Sequence, residues 1–186
     1  MNWRRPALLW TAVLAGGLGL WAGHRLSAPA IPPAAAPAAR AAVAPLQPGD
    51  ALPALVLPQL DGPPLDLRQH ARGRPLLVNV WASWCAPCVE EMPELARFAQ
   101  AQGPAGVQVL GLALDTPEGV RDFLQQVPVD YPIVLETPGP ADASVQLGNR
   151  QGLLPYTALF DAQGRLLKTR LGPFAHGEIE AWASAP

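Results

Sequence analysis

The richest chemistry in this chain lies in its only two cysteines, Cys85 and Cys88, separated by Ala86 and Pro87. Thiols three positions apart can close a disulfide or hold a soft metal, and an ionised thiol attacks other disulfides. As a structural staple the pair would do little, because so short a loop restrains the unfolded chain by only about 2 kcal/mol. A structural zinc site needs four ligands, and the histidines His24, His70 and His176 are scattered without ligand-like spacing. Redox exchange gives every position a reason. If Cys85 stands at the amino end of a helix, unpaired N–H groups and the helix dipole stabilise its thiolate, which makes it the nucleophile. Cys88, one turn further in, is expected to be more buried and less ionised, and so suited to resolve a mixed disulfide formed at Cys85. Pro87 costs little in the first turn and fixes the backbone between the sulfurs.

The flanking pattern supplies that helix. Residues 76–82 and 107–114 are near-continuous apolar runs of strand length, which suits strands covered on both faces. Between them Val89, Met92, Leu95, Ala96 and Ala99 recur at helical spacing from a start near Cys85, giving a βαβ unit with parallel strands. Thr116 caps a second helix with Pro117 at its first position, Glu118 in its first turn, and Val120, Phe123, Leu124 and Val127 on one face. A strand is expected over 131–135, an antiparallel hairpin over 156–161 and 165–171, and a closing helix over 175–184. The fold class is therefore α/β, a mixed central sheet with helices on both faces.

Several side chains near the cysteines follow from this frame. Glu91 lies three residues after Cys88 and shares its helix face, whereas Glu90 points elsewhere. A carboxylate there could take the proton of Cys88, directly or through water. Trp84, beside the nucleophile, is expected to cover the site and contact substrate, while Trp81 is expected in the core. Pro93, inside the helix, releases the carbonyl of Val89 and should kink the axis. His176 is expected at the surface.

The chain has 186 residues, room for one domain and an appendage. Its 49% hydrophobic fraction includes 32 alanines, so the core must come from clustered Leu, Val, Phe and Trp. With 15% charged residues, a net charge of -2 and Lys168 as the only lysine, it has no basic run, which excludes a nucleic-acid partner. After residue 40, nine basic residues face fifteen acidic ones, a poor match to anionic surfaces.

Residues 6–23 carry no charge, follow Arg4 and Arg5, and have Trp10 and Trp21 near their ends. As a helix they would reach about 27 Å, enough to cross a bilayer's hydrocarbon. An uncleaved membrane anchor with its amino terminus in the cytoplasm is expected. The competing reading is a cleaved signal peptide, for which Ala28-Pro29-Ala30 is a poor cleavage site. Residues 27–49 include ten alanines, six prolines and no aromatic residue, the composition of an extended tether able to reach up to about 70 Å. The expected organisation is a membrane anchor or signal over 1–25, a tether over 26–46 and a folded domain over 47–186.

The run Leu77-Val78-Asn79-Val80-Trp81-Ala82-Ser83-Trp84-Cys85-Ala86-Pro87-Cys88, its extension Glu91-Met92-Pro93, and Gly152-Leu153-Leu154-Pro155-Tyr156-Thr157 ahead of an apolar strand occur in this order. Over about residues 47 to 186 the chain resembles the thioredoxin superfamily, specifically its exported, membrane-tethered TlpA/ResA/CcmG-like branch. That resemblance implies a thioredoxin-like fold and thiol–disulfide oxidoreductase activity without a cofactor or metal. It implies a cis Leu154–Pro155 bond packed against the sulfurs, the backbone of Leu154 being free to pair with a substrate strand. It also places Glu91 in the active site and makes Trp84, Pro87, Leu154 and Pro155 substrate-facing. Asn79 stands where cytoplasmic thioredoxins carry a buried Asp that accepts protons, work an amide cannot do. Tyr156 stands where relatives often carry a small hydroxyl residue.

The implied partners are exported disulfide proteins, such as the haem-attachment cysteines of apocytochrome c or copper-delivery proteins. The implied electron donor is a membrane thiol transporter of the DsbD or CcdA kind. The location implied is the bacterial inner membrane with the domain, expected to be monomeric, in the periplasm. Two rivals stay open: the same chemistry run backwards as a disulfide oxidase, and a copper chaperone using both thiols and His176. A peroxidase is excluded locally, because Ala82 stands where the peroxiredoxin motif requires Thr.

Overall fold

The computed structural model describes residues 46–184. The expected membrane segment and nearly all of the expected tether lie outside these residues, and no described helix is long and apolar enough to cross a membrane.

The apolar runs become the middle of a five-stranded sheet. β3 (Leu76–Trp81) is buried along its whole length and is followed by α2 (Ala86–Ala101), β4 (Gln108–Leu114), α3 (Pro117–Leu124) and β5 (Ile133–Glu136). The short α4 (Ala143–Gln146) leads to the hairpin of β6 (Tyr156–Phe160) and β7 (Leu166–Leu171), and α5 (Glu178–Ser184) closes the domain. Ahead of β3 lie a small antiparallel pair, β1 (Val56–Leu57) with β2 (Leu65–Asp66), and α1 (Leu67–His70).

The strand order is β5-β4-β3-β6-β7, with β3, β4 and β5 parallel and β6 and β7 antiparallel to their neighbours. The alternation of a strand sends Leu77 and Trp81 to one face of the sheet and Leu76, Val78 and Val80 to the other. Two successive parallel crossovers step the same way across the sheet, and right-handed connections then put both helices on one face. Accordingly α2, α3 and α5 contribute Met92, Leu95, Val120 and Ile179 to the layer that holds Trp81. The opposite face is covered by less regular structure: Leu52, Leu55, Leu57 and Leu67 from the amino-terminal part, and Ala143 and Leu147 from the region of α4. Among the described residues helices therefore lie on both faces, but the three longest share one. The amino-terminal cover and α4 carry no strong periodicity, which is why the sequence did not announce them.

The expected cap is present, since Thr116 Oγ1 accepts the Gly119 N–H at 3.1 Å. Two element starts moved by two residues or more. β5 starts at Ile133, two residues later than expected, because Pro132 has no N–H for a ladder. α5 starts at Glu178 rather than at residue 175, because Gly177 has φ +73° and the N–H groups of Phe174 and Gly177 turn to carboxylates on α2.

Candidate active site

β3 ends at Trp81, and Ala82 to Trp84 turn the chain into α2. Cys85 occupies the N-cap position with extended backbone, and its carbonyl accepts the N–H groups of Cys88 and Val89, each at 3.0 Å. No side chain caps the helix, so the first-turn amides face the sulfur end of the site. Pro87 falls within the first two helical positions, where its missing N–H costs nothing. Cys85 and Cys88 are joined as a disulfide, with Cys88 fully buried and Cys85 7% exposed. The order of burial expected for a nucleophile and a resolving thiol is observed.

The loop that presents Cys85 is tied from the next strand. Asp115, just after β4, accepts the Ser83 N–H at 2.8 Å and the Ser83 hydroxyl at 2.6 Å through one carboxylate oxygen. Trp84 is 67% exposed, an unusual setting for so large an apolar side chain. The Leu154–Pro155 peptide is cis, Pro155 is buried, and Leu154 is half-buried against the same core layer as the cysteines. The Pro155 carbonyl accepts the Gly172 N–H at 2.9 Å, so this corner is held by the loop leaving β7.

Glu91 is 3% exposed, while Glu90 faces solvent. Its Oε1 accepts Asn79 Nδ2 at 2.8 Å and its Oε2 accepts the Phe174 N–H at 3.0 Å. Burial pushes the carboxyl above its ordinary range, and the two hydrogen bonds and the charge of Arg170 pull against that rise. One turn on, Glu94 accepts the Gly177 N–H at 2.8 Å and pairs with Arg97, which hold it below the usual carboxylate range. Two helix carboxylates thus anchor the segment before α5.

A Redoxin family profile matches residues 47–183. The chain belongs to the Redoxin family. Among its relatives, ResA of Geobacillus thermodenitrificans, a thiol–disulfide oxidoreductase, is 30% identical over 135 residues, covering 71% of this chain and 74% of the relative. The sporulation thiol–disulfide oxidoreductase A of Bacillus subtilis is 26% identical over 121 residues, 63% of this chain and 71% of that one. A solved thioredoxin-related protein from Neisseria meningitidis serogroup B is 33% identical, with a TM-score of 0.59 over 67% of this chain and 93% of that one. This Redoxin protein is a thiol–disulfide oxidoreductase of the thioredoxin superfamily, similar to ResA.

The fold brings Trp84, Cys85, Pro87, Cys88, Glu91, Leu154 and Pro155 to the end of β3 and the start of β6 in this Redoxin domain. It keeps the Tyr156 side chain out of this cluster, turning it to the opposite face of the sheet, where its hydroxyl donates to the Leu147 carbonyl at 3.0 Å. His176 is exposed, with Nδ1 3.0 Å from Glu94 Oε2. Four participants escaped the sequence reading. Thr157 accepts a second hydrogen bond from Asn79 at 3.2 Å, Arg170 sends its charge toward Glu91, and Phe174 and Asp115 supply the contacts above. Thr157 had a legible signal, since it follows the proline motif on a strand. The Phe174 donor is backbone, and no residue type encodes it.

Proposed function

We propose that this domain reduces disulfides in exported proteins, with Cys85 as nucleophile, Cys88 as resolving thiol and Glu91 as proton acceptor. The observation that carries the reading is the buried Glu91 carboxyl one helical turn beyond the buried Cys88, with Cys85 at the N-cap of the same helix. The Cys85 thiolate attacks one sulfur of a substrate disulfide, and the other substrate sulfur leaves as a thiolate. Cys88 gives its proton to Glu91, and its sulfur attacks Cys85, which releases the second substrate sulfur as a thiolate that takes a proton from solvent. Two electrons pass to the substrate, and the Cys85–Cys88 disulfide remains.

Trp84 and the Leu154–Pro155 edge receive the substrate segment around its disulfide, and Pro87 holds the spacing of the sulfurs. The tether confines the domain near a membrane thiol transporter of the DsbD or CcdA kind, which returns it to the dithiol form. Residues 1–25 anchor it to the inner membrane, and the domain works outside the cytoplasm. Haem-attachment thiols of apocytochrome c and the thiol ligands of copper-delivery proteins are the substrate classes favoured by the resemblance to ResA and CcmG.

The deciding experiment is the reduction potential of the protein equilibrated in thiol–disulfide buffers, read by tryptophan fluorescence or thiol alkylation. A value near or below about −220 mV supports a reductase that needs a membrane electron donor, whereas one near about −120 mV makes the protein an oxidant and removes this reading.

A further inference from the structure

Glu91 is held by donors of two kinds. The Phe174 N–H on Oε2 is backbone and can only donate. The Asn79 carboxamide on Oε1 has a donor end and an acceptor end, and so can serve either protonation state of its partner. Asn79 is itself fully buried on β3, directly across from Thr157 on β6. Its Nδ2 donates to both Glu91 and Thr157, and its buried Oδ1 has no hydrogen-bond partner.

We propose that Asn79 is a positioning residue for proton transfer from Cys88, its carboxamide turning over as Glu91 gains and loses a proton. The proposal rests on Glu91 being the proton acceptor. With Glu91 ionised, Nδ2 donates to Oε1. When the S–H bond of Cys88 breaks, the new O–H bond forms on Oε1, because the Phe174 N–H keeps Oε2 an acceptor. The reversed amide then offers Oδ1 to that O–H. The Thr157 hydroxyl follows without strain, since it accepts from Nδ2 in one state and donates to Oδ1 in the other. The end of the amide turned away from Glu91 lacks a partner in both orientations, so the proton on Glu91 sets the preference. A carboxyl at position 79 would instead share one proton with Glu91, and an aliphatic side chain would hold neither state.

The other charged and titrating groups around Glu91 are Arg170 on β7, the buried phenol of Tyr131 before β5, and Cys88 and Glu94 on its own helix. The burial of Tyr131 and the charge of Glu91 both raise that phenol, which stays neutral and does not compete for the proton. Arg170 is engaged bidentately by Glu178, at 2.7 and 2.9 Å, and favours the ionised Glu91.

The test uses the full chain in detergent, held reduced. The side-chain ¹H–¹⁵N resonances of Asn79 should move with pH at the same midpoint as the Glu91 carboxyl carbon, and Glu91→Gln should abolish that movement. Asn79→Asp should slow resolution of a mixed disulfide at Cys85 about tenfold at neutral pH, with recovery as the pH rises. The proposal is overturned if the Asn79 resonances stay fixed while Glu91 titrates. It is also overturned if Asn79→Asp and Asn79→Leu both keep the wild-type pH profile while Glu91→Gln alters it. Wild-type resolution by Glu91→Gln at every pH removes the acceptor itself, a separate failure. The resonances of the unmutated chain decide the matter if a variant at position 79 does not fold.

Discussion

One oxygen of Asp115 accepts both the backbone N–H and the hydroxyl of Ser83, at 2.8 and 2.6 Å, and so binds the end of β4 to the loop that presents Cys85. The other oxygen accepts the Thr116 N–H at 2.7 Å. Asp115→Ala leaves half-buried donors on Ser83 without an acceptor, at a cost of about 1–3 kcal/mol. Denaturant unfolding should show that loss, and the attack rate of Cys85 on a model disulfide should fall with it. Asp115→Asn keeps one acceptor and should recover part of both. Wild-type values for the alanine variant would mean that the tie is ornamental.

The two cysteines should fail differently. Cys85→Ser should abolish turnover, whereas Cys88→Ser should accumulate a mixed disulfide with substrate that intact-mass spectrometry detects before and after reduction. Equal adduct yields from both variants would contradict the assignment of roles.

Glu91 links stability to pH with a definite sign. Burial raises its pKa above the ordinary 4.5, so the folded protein holds this proton more tightly than the unfolded chain. Its stabilising contribution is complete below pH 4.5 and is lost as the pH rises through the folded value. Glu94 and Glu178 are shifted downward and have the opposite sign, losing their contribution as the pH falls, but they cancel when Glu91→Gln is compared with wild type. The stability of wild type minus that of Glu91→Gln should therefore decline above pH 4.5. A difference constant from about pH 4 to about pH 8 would show that Glu91 does not titrate abnormally.

Gly111 on β4 pairs with Asn79 and leaves room for the side chains above it. A methyl group there would lie 2.5 Å from Ile133 Cδ1, 3.1 Å from Trp81 Nε1 and 3.3 Å from Tyr131 Cε2. Gly111→Ala should cost about 1–3 kcal/mol by overpacking. Because the nearest atom is the tip of a flexible side chain, adding Ile133→Val should restore much of the loss in thermal unfolding.

Trp84 buries too little to matter for stability. Trp84→Ala should change unfolding free energy by about 0.5 kcal/mol or less, yet raise the KM for a protein disulfide, with a small-molecule disulfide much less affected. A uniform loss on both substrates would place the indole among the structural supports of the loop.

Much of this site is a matter of short-range spacing. A strand-length apolar run, a turn and a helical period of apolar residues put Cys85 at a helix start, and three-residue steps put Cys88 and Glu91 on one face; these follow from chain geometry within a few turns. The amino-terminal cover was not legible in the same way, because two-residue strands and a four-residue helix carry no period to detect. What holds Glu91 was decided only by the tertiary fold. The Phe174 N–H arrives from 83 residues away and belongs to a backbone group that every residue type but proline possesses, and Thr157 reaches Asn79 only because β6 inserts beside β3. Helical periodicity acts over a few residues and is written in their types. The environment that sets a buried carboxyl's proton affinity is assembled from segments brought together by closing the whole domain, and no local pattern records it.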